Sequence, residues 1–313
     1  MELNTDSAVS QLTTIRDWLR WTCSRFFEAE IALGHGSDTY WDEAVFLVLQ
    51  ALYLPPTTDN RVLNSRLTLP ERYKVAEWVQ RRAIQREPLP YITQVAWQQG
   101  MGFYVDHRVL IPRSPIAHLM AEGLEPWLDH VAPPSRVLDM CTGSGCLAIL
   151  STYAFPEAQV DGVDISTDAL TVAAFNVNKY GLDQRIRLIK SDGFKAFPEP
   201  IPYDVILANP PYVDANDMAN IAPEFRFEPA LALESGEDGL QFTHQFLSQV
   251  AGFLSEQGFV VLEVGNSWEA LEAAYPSISF IWLELEHAVG ITVLTQEECQ
   301  RIAPLAQALT SGS

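Results

Sequence analysis

The chain has 313 residues, with 20 Lys and Arg against 40 Asp and Glu, a formal net charge of −20. Hydrophobic residues at 48% and aromatics at 11% exclude a disordered acidic protein. The charge opposes binding to a phosphate backbone, where association depends on Lys and Arg displacing counterions. The excess is uneven: residues 1–130 carry a net −4 and residues 131–313 a net −16. A partner of the second part meets a negative field that favours basic molecules.

From the N-terminus, Ile15, Trp18, Leu19, Thr22 and Phe26 recur at three- and four-residue steps, which predicts a helix. Trp41–Leu52 reads as a second, buried helix. A third begins at Pro70, with Tyr73, Ala76 and Val79 inward. Between Pro88 and Pro112 the pattern changes to short strands over Tyr91–Thr93, Gly102–Val105 and Arg108–Ile111. After Pro133-Pro134 a strand–helix rhythm begins. Strands are expected at 136–139, 160–164, 186–190, 203–208, 258–264, 279–284 and 290–294, the last two joined by a turn near His287. Helices are expected from Leu147, over Leu170–Lys179 and over Leu240–Leu254. The reading is therefore an α/β protein with a seven-stranded, mainly parallel sheet covered on both faces. It divides into a helical domain at 1–87, a β-hairpin linker at 88–112 and the α/β domain at 113–313.

Cys23, Cys141, Cys146 and Cys299 are scattered and form no C-x-x-C pair, as expected of reduced thiols in a cytoplasmic protein. Met1–Asp6 lacks the character of a signal peptide. The most apolar stretch, Ala44–Leu54, is too short to span a bilayer, so no membrane partner is expected. The six histidines show no metal-ligand spacing, and no metal site is expected.

Two segments carry chemistry. Asp139-Met140-Cys141-Thr142-Gly143-Ser144-Gly145-Cys146 lies where the first strand of the rhythm meets its helix, and Asp164 ends the next strand. The glycines let a ligand approach the backbone, and one carboxylate can accept both hydroxyls of a ribose. The third glycine of a dinucleotide loop is missing, and Asp139 would repel phosphate. S-adenosylmethionine, with a cationic amino-acid portion and a ribose, fits better. Asp192, in Ser191-Asp192-Gly193-Phe194 after the third strand, could accept the adenine amine, with Phe194 or Ile165 packing on the ring.

The second segment, Asn209-Pro210-Pro211-Tyr212, ends the fourth strand. Two prolines hold the backbone rigid and remove two N–H donors. The Asn209 carbonyl, a neighbouring backbone carbonyl and the flat face of Tyr212 suit a planar NH2 group. Accepting both of its hydrogens favours charge build-up on a nitrogen that is otherwise a poor nucleophile.

These segments, with Val163-Asp164-Ile165-Ser166, resemble the class I methyltransferases that modify glutamine amides. The resemblance continues in Glu87-Pro88-Leu89-Pro90-Tyr91-Ile92 and in Glu228-Pro229-Ala230-Leu231-Ala232-Leu233 through Glu237-Asp238-Gly239-Leu240. It implies a Rossmann-like fold and an enzyme using S-adenosylmethionine and releasing S-adenosylhomocysteine. It also implies a cofactor site at Asp139, Thr142, Gly143, Ser144, Gly145, Asp164, Ile165, Asp192, Gly193, Phe194 and Asn209, and a catalytic motif at Asn209, Pro210, Pro211 and Tyr212. Ile111-Pro112-Arg113-Ser114-Pro115-Ile116 and Val264-Gly265-Asn266-Ser267 resemble the branch acting on large-subunit ribosomal protein L-three, a basic protein, rather than the release-factor branch. Relatives commonly carry an acid where His118 stands, and the release-factor branch often has an aromatic at Gly193. The helical domain is expected to select the substrate. An N6-adenine methyltransferase, whose target also presents a planar NH2, is disfavoured by the charge, and no direct nucleic-acid binding is expected. A non-catalytic module is disfavoured by the intact motifs.

Overall fold

The computed structural model describes residues 4–124, 127–128, 132–285 and 289–311. The chain forms two compact units: Met1–Ala96 with Val105–His107 and Ala222–Phe227, and Trp97–Tyr104 with Arg108–Ile221 and Glu228–Ser313.

The first unit is helical, with α1 Thr5–Gln11, α2 Ile15–Ala29, α3 Tyr40–Ala51, α4 Leu69–Ala83 and α5 Leu89–Thr93. A capping box starts α2: Thr14 Oγ1 accepts from the Asp17 N–H, and the Asp17 carboxylate accepts from the Thr14 N–H at 2.8 Å. The buried side of α2 is Ile15, Trp18, Leu19, Thr22 and Phe26, the face its spacing predicts. On α4 the inward stripe is Val75, Ala76, Val79, Arg82 and Ala83, whereas Tyr73, expected inward, is 54% exposed. Arg82 is buried with its charge matched: Nε donates to Glu43 Oε1 at 2.6 Å and Nη2 to the Ala32 carbonyl at 2.7 Å. The strand expected at Tyr91–Thr93 is instead the one-turn helix α5, entered through Pro88 and Pro90, whose fixed φ suits a first helical turn.

Strands β1 Val95–Gln98 and β2 Met101–Tyr104 form a hairpin. Its two-residue turn, Gln99-Gly100, has φ of +48° and +73°, the positive values that match strand twist. Arg108–Ile111 does not form the expected strand, because the Ile111 N–H donates to the Glu228 carboxylate at 2.9 Å rather than to a neighbouring strand.

The second unit continues with α6 Ile116–Ala121, β3 Arg136–Met140, α7 Cys146–Ala154, β4 Gln159–Asp164, α8 Thr167–Lys179, β5 Ile186–Lys190 and β6 Tyr203–Ala208. It ends with α9 Ala215–Asn220, α10 Gln241–Leu247, β7 Leu254–Glu263, α11 Trp268–Ala274, β8 Ile291–Thr295 and α12 Gln296–Ser311. The sheet order is β5-β4-β3-β6-β7-β8, parallel except for β8, which runs against β7. Side-chain alternation splits each central strand between two cores. Val137, Val205, Leu207 and Val261 pack with Ile149 of α7 on one face. Leu138, Ile206, Val260 and Leu262 pack with Phe246 of α10 and Ile302 of α12 on the other. Burial on both faces explains why these strands read as continuous apolar runs.

Six described strands make this sheet. Where a seventh was expected, residues 279–284 touch the edge through an isolated Trp282–Thr292 bridge and one bond from the Leu283 N–H to the Ile291 carbonyl. The turn expected near His287 lies outside the described residues. The helix expected over Leu240–Leu254 is shorter: α10 stops at Leu247, a 3-10 turn follows over Val250–Phe253, and β7 starts at Leu254. Gly252, a poor helix former, lies in that turn.

Candidate active site

The chemistry-bearing segments all leave the C-terminal ends of parallel strands, where ligands bind in open α/β sheets. After β3 the backbone turns through left-handed residues: Cys141, Gly143 and Gly145 have φ of +61°, +54° and +79°. Gly145 also meets α8 closely, since a Cβ there would lie 3.2 Å from Ala173 Cβ. Asp139 sits under this loop. It is 1% exposed, and its Oδ2 accepts from Thr142 Oγ1 at 2.5 Å and from the Ala148 N–H at 2.9 Å. Burial pushes its carboxyl up to about 7, against the pull of those two donors. Asp139 was expected at the ligand; in the structure it fixes the loop and the start of α7, and it does not line the cavity above.

That cavity, of about 250 Å³, is lined by Met140, Cys141 and Gly143 of the loop, by Asp164, Ile165 and Ser166 after β4, and by Ser191, Asp192 and Gly193 after β5. Asn209 and Pro211 after β6 complete this side. Asp164 holds the turn together: its Oδ2 accepts from the Gly143 N–H at 2.9 Å and its Oδ1 from the Ser166 N–H at 2.8 Å. Burial raises its carboxyl pKa, and those amide donors oppose the rise. Capping of α8 falls to Ser166, whose Oγ accepts from the Ala169 N–H at 3.1 Å, so Asp164 is left facing the cavity. Ile165 is 47% exposed and offers an apolar surface there.

Asp192 Oδ2 accepts from Lys195 Nζ at 2.6 Å and its Oδ1 from Gln245 Nε2 at 3.2 Å; the Lys195 bond holds its carboxyl below the usual range. Phe194 is elsewhere. It is 3% exposed and stacks on Phe253 at 4.1 Å and on Phe246 at 5.8 Å, so it belongs to the core and not to the cavity wall.

Asn209 also lines an adjoining recess, together with Thr142, Ser144, Gly143 and Arg113. No hydrogen bond to the Asn209 side chain is found among the described residues, and Pro210 beside it is buried. Tyr212 is clamped. Its hydroxyl donates to Glu263 Oε1 at 3.0 Å, and Glu263 Oε2 accepts from Ser114 Oγ at 2.6 Å. The Glu263 charge and burial push the phenol well up, and burial raises Glu263 against its donors. The Tyr212 carbonyl accepts from Ser267 Oγ at 2.8 Å, and a Cβ at Gly265 would lie 2.4 Å from the ring. Arg113 pairs in two-pronged fashion with buried Glu228 (2.5 and 2.9 Å). Directly after Tyr212, Val213 bonds to the Leu233 carbonyl and the Ser235 N–H, which aligns the 233–235 segment with the motif.

Sequence reasoning missed Glu263, Gln245, Phe242 and Leu231. Glu263 carried a signal, an acid ending an apolar strand; Gln241 and Gln245, four apart on one helix, carried a weaker one. His118 lies away from this constellation and pairs with Glu122 at 3.1 Å on an exposed helix face. Among the described residues no group of His, Cys, Asp and Glu could hold a metal ion, and no helix is long and apolar enough to cross a membrane.

The sheet thus brings the Cys141–Gly143 loop, Asp164, and Asn209 and Pro211 of the Asn-Pro-Pro-Tyr segment to one cavity. The methyltransferase small domain family model matches residues 120–263. A ribosomal protein uL3 glutamine methyltransferase of Bordetella pertussis is 48% identical over 92% of this chain and 97% of its own length. One of Neisseria gonorrhoeae is 45% identical over 94% and 98%. Among solved structures, a ribosomal protein L11 methylase of Lactobacillus delbrueckii subsp. bulgaricus matches 61% of this chain and 83% of its own, at 21% identity and a TM-score of 0.41. The chain belongs to the ribosomal protein uL3 glutamine methyltransferase family.

Proposed function

We propose that this enzyme transfers a methyl group from S-adenosylmethionine to the side-chain N5 of a glutamine in ribosomal protein uL3, releasing S-adenosylhomocysteine. The observation that carries the reading is that Asn209 and Pro211 share one cavity with Asp164 and the Cys141–Gly143 loop. The residues fit the cofactor: Asp164 faces the cavity to take ribose hydroxyls, Ile165 offers a surface for a flat ring, and the loop admits close approach. The cofactor supplies a methyl carbon made electrophilic by its sulfonium.

The protein's part is to present the nucleophile. Asn209 Oδ1 and a backbone carbonyl of the motif accept the two amide hydrogens of the glutamine, each bond contributing roughly 1–1.5 kcal/mol and more as charge develops. Tyr212, held by Glu263 and Ser267, packs against the amide plane. Orientation of the nitrogen in line with the methyl group supplies a larger share, up to roughly 7–11 kcal/mol. With the cofactor bound, the amide nitrogen would take the methyl group as the C–S bond breaks toward sulfur, and the excess proton would leave nitrogen afterwards, so no dedicated base is needed first. The helical unit selects the protein substrate, a role supported by its near-neutral balance beside the acidic α/β unit. Methylation of purified uL3 and of a release factor, run in parallel with labelled cofactor, tests the assignment: label in uL3 is expected, and label in the release factor alone would overturn it.

A further inference from the structure

We infer that Ser114 is a positioning residue for methyl transfer: through Glu263 it sets where the Tyr212 ring stands. The inference rests on the function proposed above and extends its positioning machinery to a turn that precedes the whole six-stranded sheet in the chain.

Three groups stand in line. Ser114 Oγ donates to Glu263 Oε2 at 2.6 Å, and the Tyr212 hydroxyl donates to Glu263 Oε1 at 3.0 Å. Ser114 and Glu263 are buried, and among the described residues no hydrogen bond joins Ser114 to Tyr212 directly, so the carboxylate is the link. The serine is itself held. Its carbonyl accepts from Gln98 Nε2 at 2.9 Å, and its Oγ accepts from the Ile116 N–H at 3.3 Å, which leaves the hydroxyl proton for Glu263. A second tether leaves the same turn. Arg113 pairs with Glu228 by two bonds, and the Ile111 N–H donates to Glu228 as well. From Glu228 the chain runs to Leu233 and Ser235, which bond to Val213, the residue after Tyr212. The turn therefore grips the motif twice, at the ring through Ser114 and at the backbone through Arg113.

Packing alone does not account for this choice of groups. Burial raises the Glu263 carboxyl against its donors, and an apolar side chain would fill the same space without that cost. A carboxylate between two hydroxyls adds direction: it fixes where the phenol oxygen lies, and with it the tilt of the ring. The face of that ring is the surface against which the planar amide packs, and misplacing it by about an ångström is felt in the rate. Without the Ser114 hydroxyl, Glu263 Oε2 loses a donor, and the attraction of Arg113 is free to turn the carboxylate off the phenol.

The test has two readouts on the full-length enzyme. In protein labelled with 3-fluorotyrosine, one of the ten tyrosine signals is assigned to Tyr212 by its loss in Tyr212→Phe. Ser114→Ala should shift or broaden that signal and leave the others in place. In uL3 methylation, Ser114→Ala should lower kcat by about tenfold, with S-adenosylhomocysteine affinity in calorimetry within about twofold of wild type. Because it acts through the Tyr212 hydroxyl, Ser114→Ala should add little to the loss that Tyr212→Phe already causes. Ser114→Thr keeps the hydroxyl and should keep both the signal and kcat near wild type. An unmoved Tyr212 signal, or losses that multiply in the double variant, would overturn the inference. So would S-adenosylhomocysteine affinity that falls along with kcat, which would make Ser114 a cofactor contact. A Ser114→Thr enzyme as impaired as Ser114→Ala, or a Ser114→Ala chain that does not fold, would make the position structural and overturn it too. A wild type that leaves uL3 unmodified would overturn the proposed function instead, while the fluorotyrosine signal still decides whether Ser114 governs the ring.

Discussion

Substituting Gly265 by alanine probes the clamp around Tyr212 most sharply. The residue has φ of +47°, a region that costs a Cβ-bearing residue about 1 kcal/mol. The new methyl would lie 2.4 Å from Tyr212 Cε2 and 2.9 Å from Cδ2 and Cζ, so the ring must retreat by about an ångström to reach ordinary contact. It has little freedom to do so. Its hydroxyl is held by Glu263, its carbonyl by Ser267, and a Cβ at Gly239 would lie only 2.3 Å from that carbonyl oxygen. Overpacking of this kind costs about 1–3 kcal/mol, which with the backbone strain gives a loss of about 2–4 kcal/mol. A shift of the ring by that distance should also slow methyl transfer by up to about 100-fold. Denaturant unfolding and steady-state kinetics measure the two effects, with cofactor affinity expected near wild type because Tyr212 is not among the residues lining the cavity at Asp164. A Gly265→Ala enzyme with unchanged stability and kcat would refute the clamp.

Three further outcomes are expected. Asp164→Asn should weaken cofactor binding by about 10–100-fold in calorimetry, because a charged acceptor for ribose hydroxyls and for the Gly143 N–H is lost. Asp139, raised to about 7 when folded from an ordinary value near 4, binds its proton more tightly in the folded chain. Its burial penalty is therefore absent below about pH 4, grows as pH rises and is complete above about 7. Cofactor-free unfolding free energies should fall across that window, and Asp139→Asn should flatten the fall; an unchanged slope would exclude Asp139 as its source. Raising salt from about 50 to about 200 mM should raise KM for the basic protein substrate more than it weakens cofactor binding, since the α/β unit's excess negative charge acts through solvent.

The central strands were legible because burial on both faces writes itself as runs such as Val205-Ile206-Leu207-Ala208. The motifs were legible because they sit at the ends of those runs. What was not legible depended on side-chain partners, some local and some distant, that the strand pattern does not encode. Asp139 reads as a ligand-facing acid by position, yet Thr142 and Ala148 turn it inward. Phe194 reads as a ring for adenine, but two other phenylalanines distant in sequence hold it in the core. Arg108–Ile111 has strand composition, and a carboxylate 117 residues away takes the Ile111 N–H instead. Gln245 could not be singled out before α10 was seen to face Asp192.

The most direct measurement is tandem mass spectrometry of ribosomal protein uL3 after incubation with S-adenosylmethionine and either the wild-type enzyme or Asn209→Ala. One added methyl group on the side-chain nitrogen of a single glutamine is expected with the wild type, reduced by about 100-fold or more in initial rate with Asn209→Ala. Unmodified uL3 glutamines with the wild type, or undiminished methylation by the variant, would contradict the account.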